Sequence, residues 1–260
     1  MKHWYVFFIL LIGIKGLGQA EKLEDDGRKI MIPVVFHIVY DSEKDNIEQN
    51  LILNELADLN LDFSAKNDMG MLDSEFRSIV GNPNIEFYLI DKVFAEADGK
   101  GIQRIPRKNI KNLNDLLIDP QNCVNIFISR DGNSSDILSD RINLNCEDVG
   151  LNSHVLTHET GHWLGLFHVF GQIGNSKFYN VWFGNHDDLI EDTPKQIRAS
   201  AVCYEITPDC PCPPRNIYYK KHKTLFNNFM DYNPCRCMFT LGQAKKIRDN
   251  IIEHKPALYR

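Results

Sequence analysis

The stretch His158-Glu159-Thr160-Gly161-His162-Trp163-Leu164-Gly165-Leu166-Phe167-His168 decides how this chain folds and which chemistry it carries. It has the form H-E-x-x-H-x-x-G-x-x-H. On a helix, His158 and His162 stand four residues apart, so both imidazoles leave the same face one turn apart and can hold one Zn²⁺. Glu159 lies beside them and can take a proton from a water on the metal. The spacing therefore predicts a zinc-binding helix.

Two further positions make the pattern more specific. Gly165 can end the helix in a left-handed turn, and that turn allows His168 to return as a third ligand. Three protein ligands leave a fourth position open, which is typical of a catalytic rather than a structural zinc site. The alternative is a set of solvated histidines beside an ordinary helix-ending glycine. Five fixed positions, three of them histidine in a chain with nine histidines, argue against it.

Length and charge limit the remaining possibilities. A chain of 260 residues can form one large domain or two closely packed subdomains. The formal charge of −6, without a stripe of lysine and arginine, argues against a nucleic-acid partner. We expect a protein or peptide substrate, and no pattern indicates an oligomeric state.

The N-terminus has the outline of a secretory signal peptide. Lys2 and His3 precede an apolar run at 4–14, and Gly18-Gln19-Ala20 offers small residues for cleavage. The run is shorter than the about 20 apolar residues that a membrane span needs. We predict a signal peptide at 1–20 and a secreted mature chain at 21–260, without stable membrane insertion. An uncleaved membrane anchor is the alternative.

Seven cysteines in an exported chain favour disulfides over free thiols. Two precede the zinc helix and the others follow it, and the odd total leaves at least one without an intramolecular partner. Two C-x-C pairs, at 210–212 and 235–237, could hold a second zinc or be joined by a disulfide. An oxidising compartment favours the disulfide.

The segments before the zinc helix alternate between strand and helix patterns. Residues rich in β-branched and aromatic side chains predict strands at 30–40, 85–90, 102–105 and 123–129. An apolar stripe predicts a helix at 46–62 that backs the sheet, and Asn152 or Ser153 is expected to cap the zinc helix. The polar stretch 131–150 is expected to be a loop. The order predicts an α+β fold with helices packed on one face of a twisted mixed sheet.

The texture changes after His168. Residues 171–238 are rich in Gly, Asn, Asp, Pro and Cys, with little periodicity, so this part must depend on disulfides, metal or the preceding subdomain. A final helix is predicted at 240–254, where Thr240 and Gln243 form a capping box.

Two stretches in the irregular part carry candidate chemistry. The acidic run at 186–194 has four carboxylates within six residues, which suits Ca²⁺ and is equally consistent with a solvated loop. In the stretch 227–232, Met230 can provide a polarisable floor beneath a zinc site. By itself, a buried methionine is much more often an ordinary core residue.

These motifs, in this order, resemble the pappalysin (cytophagalysin-like) family of metzincin metallopeptidases over most of the mature chain. The motifs that carry the resemblance are IPVVFHIVY at 32–40, GIQR at 101–104, LTHE at 156–159, GHWLGLFH at 161–168, DLIEDTP at 188–194, NFMDY at 228–232 and FTLGQ at 239–243.

The resemblance implies a metzincin-type zincin fold, with an upper subdomain at about 30–165 and a loop-rich, disulfide-linked lower subdomain at about 166–260. It implies a zinc endopeptidase with roles for these residues: His158, His162 and His168 as zinc ligands, Glu159 as general base, Met230 as the Met-turn residue, Tyr232 as a hydrogen-bond donor to the oxyanion, and Asp188, Asp192 and Thr193 as calcium ligands. It also implies one disulfide between Cys210 or Cys212 and Cys235 or Cys237.

The chain departs from the family pattern in several places. No cysteine occurs at 181–187, so one family disulfide is missing or is made through Cys203. His154 stands where relatives often have arginine, and the loop before the zinc helix is short, so the relatives' substrate preference does not transfer. The competing hypothesis is a secreted binding or adhesion module that keeps zinc without peptidase activity. The open fourth position and the presence of Glu159 argue against it.

Overall fold

The structure is a computed structural model of the chain. It describes residues 23–94, 99–151, 153–171, 187–202, 205–215 and 217–259. The predicted signal peptide at 1–20 lies outside the described residues. Within those residues, no helix is long and apolar enough to cross a membrane.

The centre of the fold is a parallel sheet built around one long buried strand. Its strands are β1 (Ile30–Tyr40), β3 (Ile85–Leu89), β4 (Ile102–Pro106), β5 (Val124–Ser129) and β6 (Arg141–Asn145). The order is β3-β1-β5-β6, and β4 pairs with the second half of β1, on the same edge as β3. The predicted strands at 30–40, 85–90, 102–105 and 123–129 are thereby confirmed.

Strand β6 corrects the prediction of a loop at 131–150. Ile142 and Leu144 are buried, while the polar residues between and beside them face away from the core. This two-residue alternation is short and lies among asparagines, so composition concealed it. An antiparallel bridge between Ser134 and Asn143 extends the sheet beyond β6, and through it the sheet is mixed.

Three α-helices lie within the described residues: α1 (Gln49–Phe63), α2 (Val155–Trp163) and α3 (Leu241–His254). Helix α1 backs the sheet as predicted and buries Ile52, Leu59 and Phe63. It begins three residues later than predicted, since its N-cap residue, Glu48, is in an extended conformation. The predicted capping box of Thr240 and Gln243 is present at α3.

The predicted cap of α2 is wrong. The N-cap residue is His154, in a left-handed conformation with φ 54°. The Asp62 carboxylate on α1 lies 2.8 Å from Nδ1 of His154 and accepts a hydrogen bond of 2.6 Å from the Thr157 hydroxyl. A contact across 92 residues therefore fixes the start of α2, and no local capping signal does so.

The other elements of the described segments are short. They are the 3₁₀ helices Glu43–Asp45, Ser74–Ile79, Arg107–Asn109, Leu113–Leu116 and Pro256–Leu258 and the strand pairs β2 (Val80–Gly81) with β9 (Phe239–Thr240) and β7 (Tyr218–Tyr219) with β8 (His222–Lys223).

Buried polar side chains hold the irregular part after α2. The side-chain amide of Asn227 donates to the Cys235 carbonyl at 2.7 Å, and that of Asn233 donates to the Phe226 carbonyl at 2.8 Å. The side chains of Asn228 and Gln243 exchange two hydrogen bonds. Each of these side chains is fully or almost fully buried. They supply the partners that irregular backbone cannot find in helices or strands.

The cysteines confirm one prediction and correct another. Cys212 and Cys235 form the predicted link between the two C-x-C pairs, and Cys210 is also disulfide-bonded. Cys123, Cys146 and Cys237 are free and buried, against the expectation of disulfides. They pack as small apolar side chains, and burial raises the thiol pKa of Cys123 and Cys237 to about 12. Cys203 lies outside the described residues.

Candidate active site

Three imidazoles meet at one point. Nε2 of His158 lies 3.2 Å from Nε2 of His162 and 3.2 Å from Nε2 of His168, and the remaining pair is 3.0 Å apart. Nδ1 of His158 lies 2.7 Å from the Phe229 carbonyl, and Nδ1 of His162 lies 2.8 Å from the Leu166 carbonyl. A carbonyl only accepts, so Nδ1 carries the proton in both rings and the Nε2 lone pairs converge.

The turn that returns His168 depends on Gly165. This residue has φ +91°, and its amide donates to the His162 carbonyl at 2.8 Å. A Cβ here would lie 2.1 Å from Nδ2 of Asn250, which itself donates to the Leu164 carbonyl. Conformation and space both require glycine, as the sequence predicted.

The donor set fits a zinc ion. Burial lowers the pKa of all three histidines, and it lowers that of His168 to about 3, so the rings are neutral. Three converging lone pairs repel each other unless a cation lies between them. Zinc–nitrogen bonds of about 2.0–2.1 Å in a tetrahedral site place the nitrogens about 3.3 Å apart, close to the observed separations. Among the described residues, no other group of three or more His, Cys, Asp or Glu side chains has this arrangement.

Glu159 lies in the same pocket of low polarity. It is 7 % exposed, and Oε2 is buried with no hydrogen-bond partner among the described residues. Burial raises the pKa of Glu159 to about 8, while the Arg236 charge and the Ser135 backbone amide act in the opposite direction. A buried carboxylate oxygen without a protein partner is suited to receive a proton from a small ligand such as water.

The stretch 228–232 reaches the site from the irregular half. Met230 is fully buried, and its sulfur lies 2.5 Å from the position that a Cβ on Gly161 would occupy. The Tyr232 hydroxyl lies 2.7 Å from Nε2 of His168. The structure thus brings together the three histidines, Glu159, Met230 and Tyr232, which lie up to 74 residues apart in the chain.

The expected calcium ligands have different hydrogen-bond partners. Asp188 accepts hydrogen bonds from the Thr193 hydroxyl and the Ile190 amide. Asp192 accepts from the Thr240 hydroxyl at 2.7 Å and the Gly242 amide at 2.8 Å, at the start of α3. Burial raises the pKa of Asp188 to about 6, and its Oδ2 is buried without a partner among the described residues.

Sequence analysis missed two residues that support the site. The Asp231 carboxylate is fully buried and accepts from the Ser200 amide and hydroxyl and from the Tyr232 amide. Arg236 is almost fully buried and donates to the carbonyls of Ser153 and Asp231. A charged residue in an irregular stretch looks like a surface residue, so nothing local marks either of them.

The model of one peptidase family, M43, described as pregnancy-associated plasma protein-A, matches residues 108–252. The chain belongs to this pappalysin family. The match contains the complete histidine stretch and the stretch at 228–232. It agrees with the resemblance drawn from the motifs.

Relatives and solved structures agree with this assignment. An extracellular metalloprotease of Arthroderma gypseum is 36 % identical over 95 residues, which are 35 % of this chain and 27 % of that protein. A second, from Neurospora crassa, is 35 % identical over 98 residues, 36 % of this chain and 28 % of that protein. The matched region therefore spans little more than a quarter of each relative.

Solved structures of mirolysin have the same fold. Mirolysin in complex with a compound is 25 % identical with a TM-score of 0.70, covering 89 % of this chain and 95 % of that one. Tannerella forsythia mature mirolysin in complex with a cleaved peptide is 24 % identical with a TM-score of 0.67, over 89 % and 94 % of the two chains.

Proposed function

We propose that this chain is a secreted zinc-dependent endopeptidase in which His158, His162 and His168 hold the metal. The observation that carries the proposal is the convergence of three Nε2 atoms at 3.0–3.2 Å, next to the buried Glu159 in the chain. Membership of a metallopeptidase family supports it.

The chemistry divides between the ion and the chain. When bound, zinc would polarise the scissile carbonyl and lower the pKa of a coordinated water towards about 7. Glu159 accepts a proton as the water attacks and passes it to the leaving amine. Tyr232 donates its hydroxyl hydrogen to the developing oxyanion. The backbone carbonyls of Phe229 and Leu166 keep two imidazoles oriented while charge develops.

The rim of the active site, formed by the outer edge of the sheet, provides a place to bind an extended peptide. Ser134 pairs antiparallel with Asn143 at the outer edge of the sheet, with hydrogen bonds of 2.9 and 3.0 Å. The next amide, that of Ser135, favours the ionised form of Glu159, and Asp136 acts electrostatically on His162. A substrate strand added along this rim would bring its scissile bond to the catalytic groups.

Secretion and calcium belong to the same proposal. The outline of a signal peptide, the Cys212–Cys235 disulfide and relatives named extracellular support export. For calcium, Asp188 and Thr193 are the stronger candidates, because the carboxylate of Asp192 is occupied at the start of α3.

The test uses purified chain from residue 21 onward with casein and gelatin as substrates. We expect cleavage that a zinc chelator abolishes and that added Zn²⁺ restores. A chain that binds one zinc but cleaves neither substrate, nor a proteome-derived peptide library, would contradict the proposal. That result would favour the binding or adhesion module.

A further inference from the structure

One buried arginine connects the two parts of the chain that build the site. Arg236 is 1 % exposed and lies between two cysteines. Its backbone is held on both sides, by the Cys212–Cys235 disulfide and by a 2.8 Å hydrogen bond from the Cys237 amide to the Asn227 carbonyl. The guanidinium therefore projects from a fixed base.

The two ends of this guanidinium contact different segments. Nη2 donates to the carbonyl of Ser153, and Nη1 donates to the carbonyl of Asp231 at 3.3 Å. Ser153 precedes His154, whose carbonyl accepts the His158 amide at 3.0 Å in the first turn of α2. Asp231 lies between Met230 and Tyr232. The guanidinium thus connects the start of α2 to the turn that carries Met230 and Tyr232.

The chemistry of the site explains why a charge occupies this position. An apolar side chain of similar length would fill the same volume without the cost of removing a guanidinium from water. The Ser153 and Asp231 carbonyls belong to different segments, and one side chain donates to both. The planar guanidinium of arginine can do this because it carries donors on separate nitrogens. The charge also lies close enough to His158 and Glu159 to act on both.

We propose that Arg236 is a positioning residue that sets the distance between the zinc helix and the Met230–Tyr232 turn. The effect that this inference predicts on kcat rests on the proposed function. The effect that it predicts on the spectrum of a metal ion in the site rests on the metal site alone. Without the guanidinium, the Ser153 and Asp231 carbonyls lose their shared donor, and Tyr232 moves relative to His168.

The experiment compares Arg236→Met with Arg236→Lys in the full mature chain. Arg236→Met keeps length and removes the donors, whereas Arg236→Lys keeps the charge and reaches one carbonyl. We expect Arg236→Met to retain one zinc and to lose kcat about 10- to 100-fold with little change in KM, since small misplacements of catalytic groups have effects of that size. The visible absorption of the Co²⁺-substituted protein should shift, and Arg236→Lys should lie between Arg236→Met and wild type.

Arg248→Met is the matched control. Arg248 is also buried and donates to two carbonyls, those of Pro83 and Arg28, besides its ion pair with Asp25, but none of these groups belongs to the site. It should lower Tm and leave kcat and the Co²⁺ spectrum unchanged. Arg236→Met with a wild-type Co²⁺ spectrum would overturn the inference. If it does not fold, Arg236→Lys with a wild-type spectrum and kcat would do so.

The two proposals fail separately. If wild type lacks peptidase activity, the proposed function fails, but the Co²⁺ spectra still decide whether Arg236 positions the metal site.

Discussion

The two halves of this protein satisfy their backbone groups in different ways. From β1 to α2, strands pair with strands, helices satisfy themselves, and apolar side chains such as Phe36 and Ile126 fill the space between them. Between α2 and α3, buried side chains such as Asn227 and Asp231 pair many of the backbone amides and carbonyls. Both halves have apolar cores, but the irregular half also depends on polar side chains that are almost completely enclosed.

The difference explains how the site is divided. The regular half supplies two histidines and Glu159, whose spacing a helix fixes by itself. The irregular half supplies Met230 and Tyr232, whose positions depend on long-range hydrogen bonds. A small change in structure should therefore have its largest effect on activity and stability where the two halves are in contact.

Among changes at the contact between the two halves, removal of the Tyr232 hydroxyl should have the largest effect on activity. Tyr232→Phe keeps the ring and loses the group 2.7 Å from Nε2 of His168. Loss of one oxyanion donor typically lowers kcat by about 100-fold or more. We expect that decrease in peptide-cleavage assays, with one zinc retained. Tyr218→Phe, at an exposed tyrosine of the same half, is the control and should be as active as wild type. Equal activity in both variants would remove Tyr232 from the mechanism.

One added methyl group tests the contact between the halves. Gly161→Ala places a Cβ 2.5 Å from the Met230 sulfur, too close for two packed atoms. Alanine is the better helix former by about 1 kcal/mol, yet overpacking costs about 1–3 kcal/mol. We therefore expect a lower midpoint in chemical denaturation.

A double-mutant cycle with Met230→Ala tests whether the loss of stability in Gly161→Ala comes from this contact. The double variant should recover about 1 kcal/mol or more relative to the sum of the single changes. Additive effects would show that Gly161 and Met230 are not in close contact.

The smallest effect should come from Asp188. Burial raises the pKa of this carboxyl from 3.8 to about 6. Between those values the folded protein holds a proton that the unfolded chain has lost, so its contribution to stability decreases as pH rises from about 4 to 6. Asp188→Asn should therefore show a smaller fall in Tm than wild type over this pH range, measured in chelator-treated protein.

Added calcium provides a second test of Asp188 by the same Tm measurement. If Asp188 binds Ca²⁺, added calcium should raise the Tm of wild type near pH 7 and leave that of Asp188→Asn unchanged. Equal responses in the two proteins would remove Asp188 from any calcium site.

The sequence was most informative where local periodicity decides structure. The apolar run of β1, the stripe of α1 and the capping box of α3 each depend on neighbours a few residues away. The histidine spacing belongs to the same class, which is why the helix and the turn at Gly165 were predictable.

Long-range contacts escaped prediction. Asp62 fixes His154 at the start of α2 from 92 residues away, and Asp192 accepts a hydrogen bond from the Gly242 amide, 50 residues on, at the start of α3. Arg236 gives no local sign of burial. These positions depend on three-dimensional packing that composition and spacing do not encode.

Glu159→Ala tests the central claim most directly, because Glu159 is proposed to move a proton without holding the metal. We expect a variant with wild-type circular dichroism and one zinc per chain whose cleavage of a peptide substrate is lower by about 10²–10⁴-fold. Full peptidase activity in the zinc-loaded Glu159→Ala protein would contradict it.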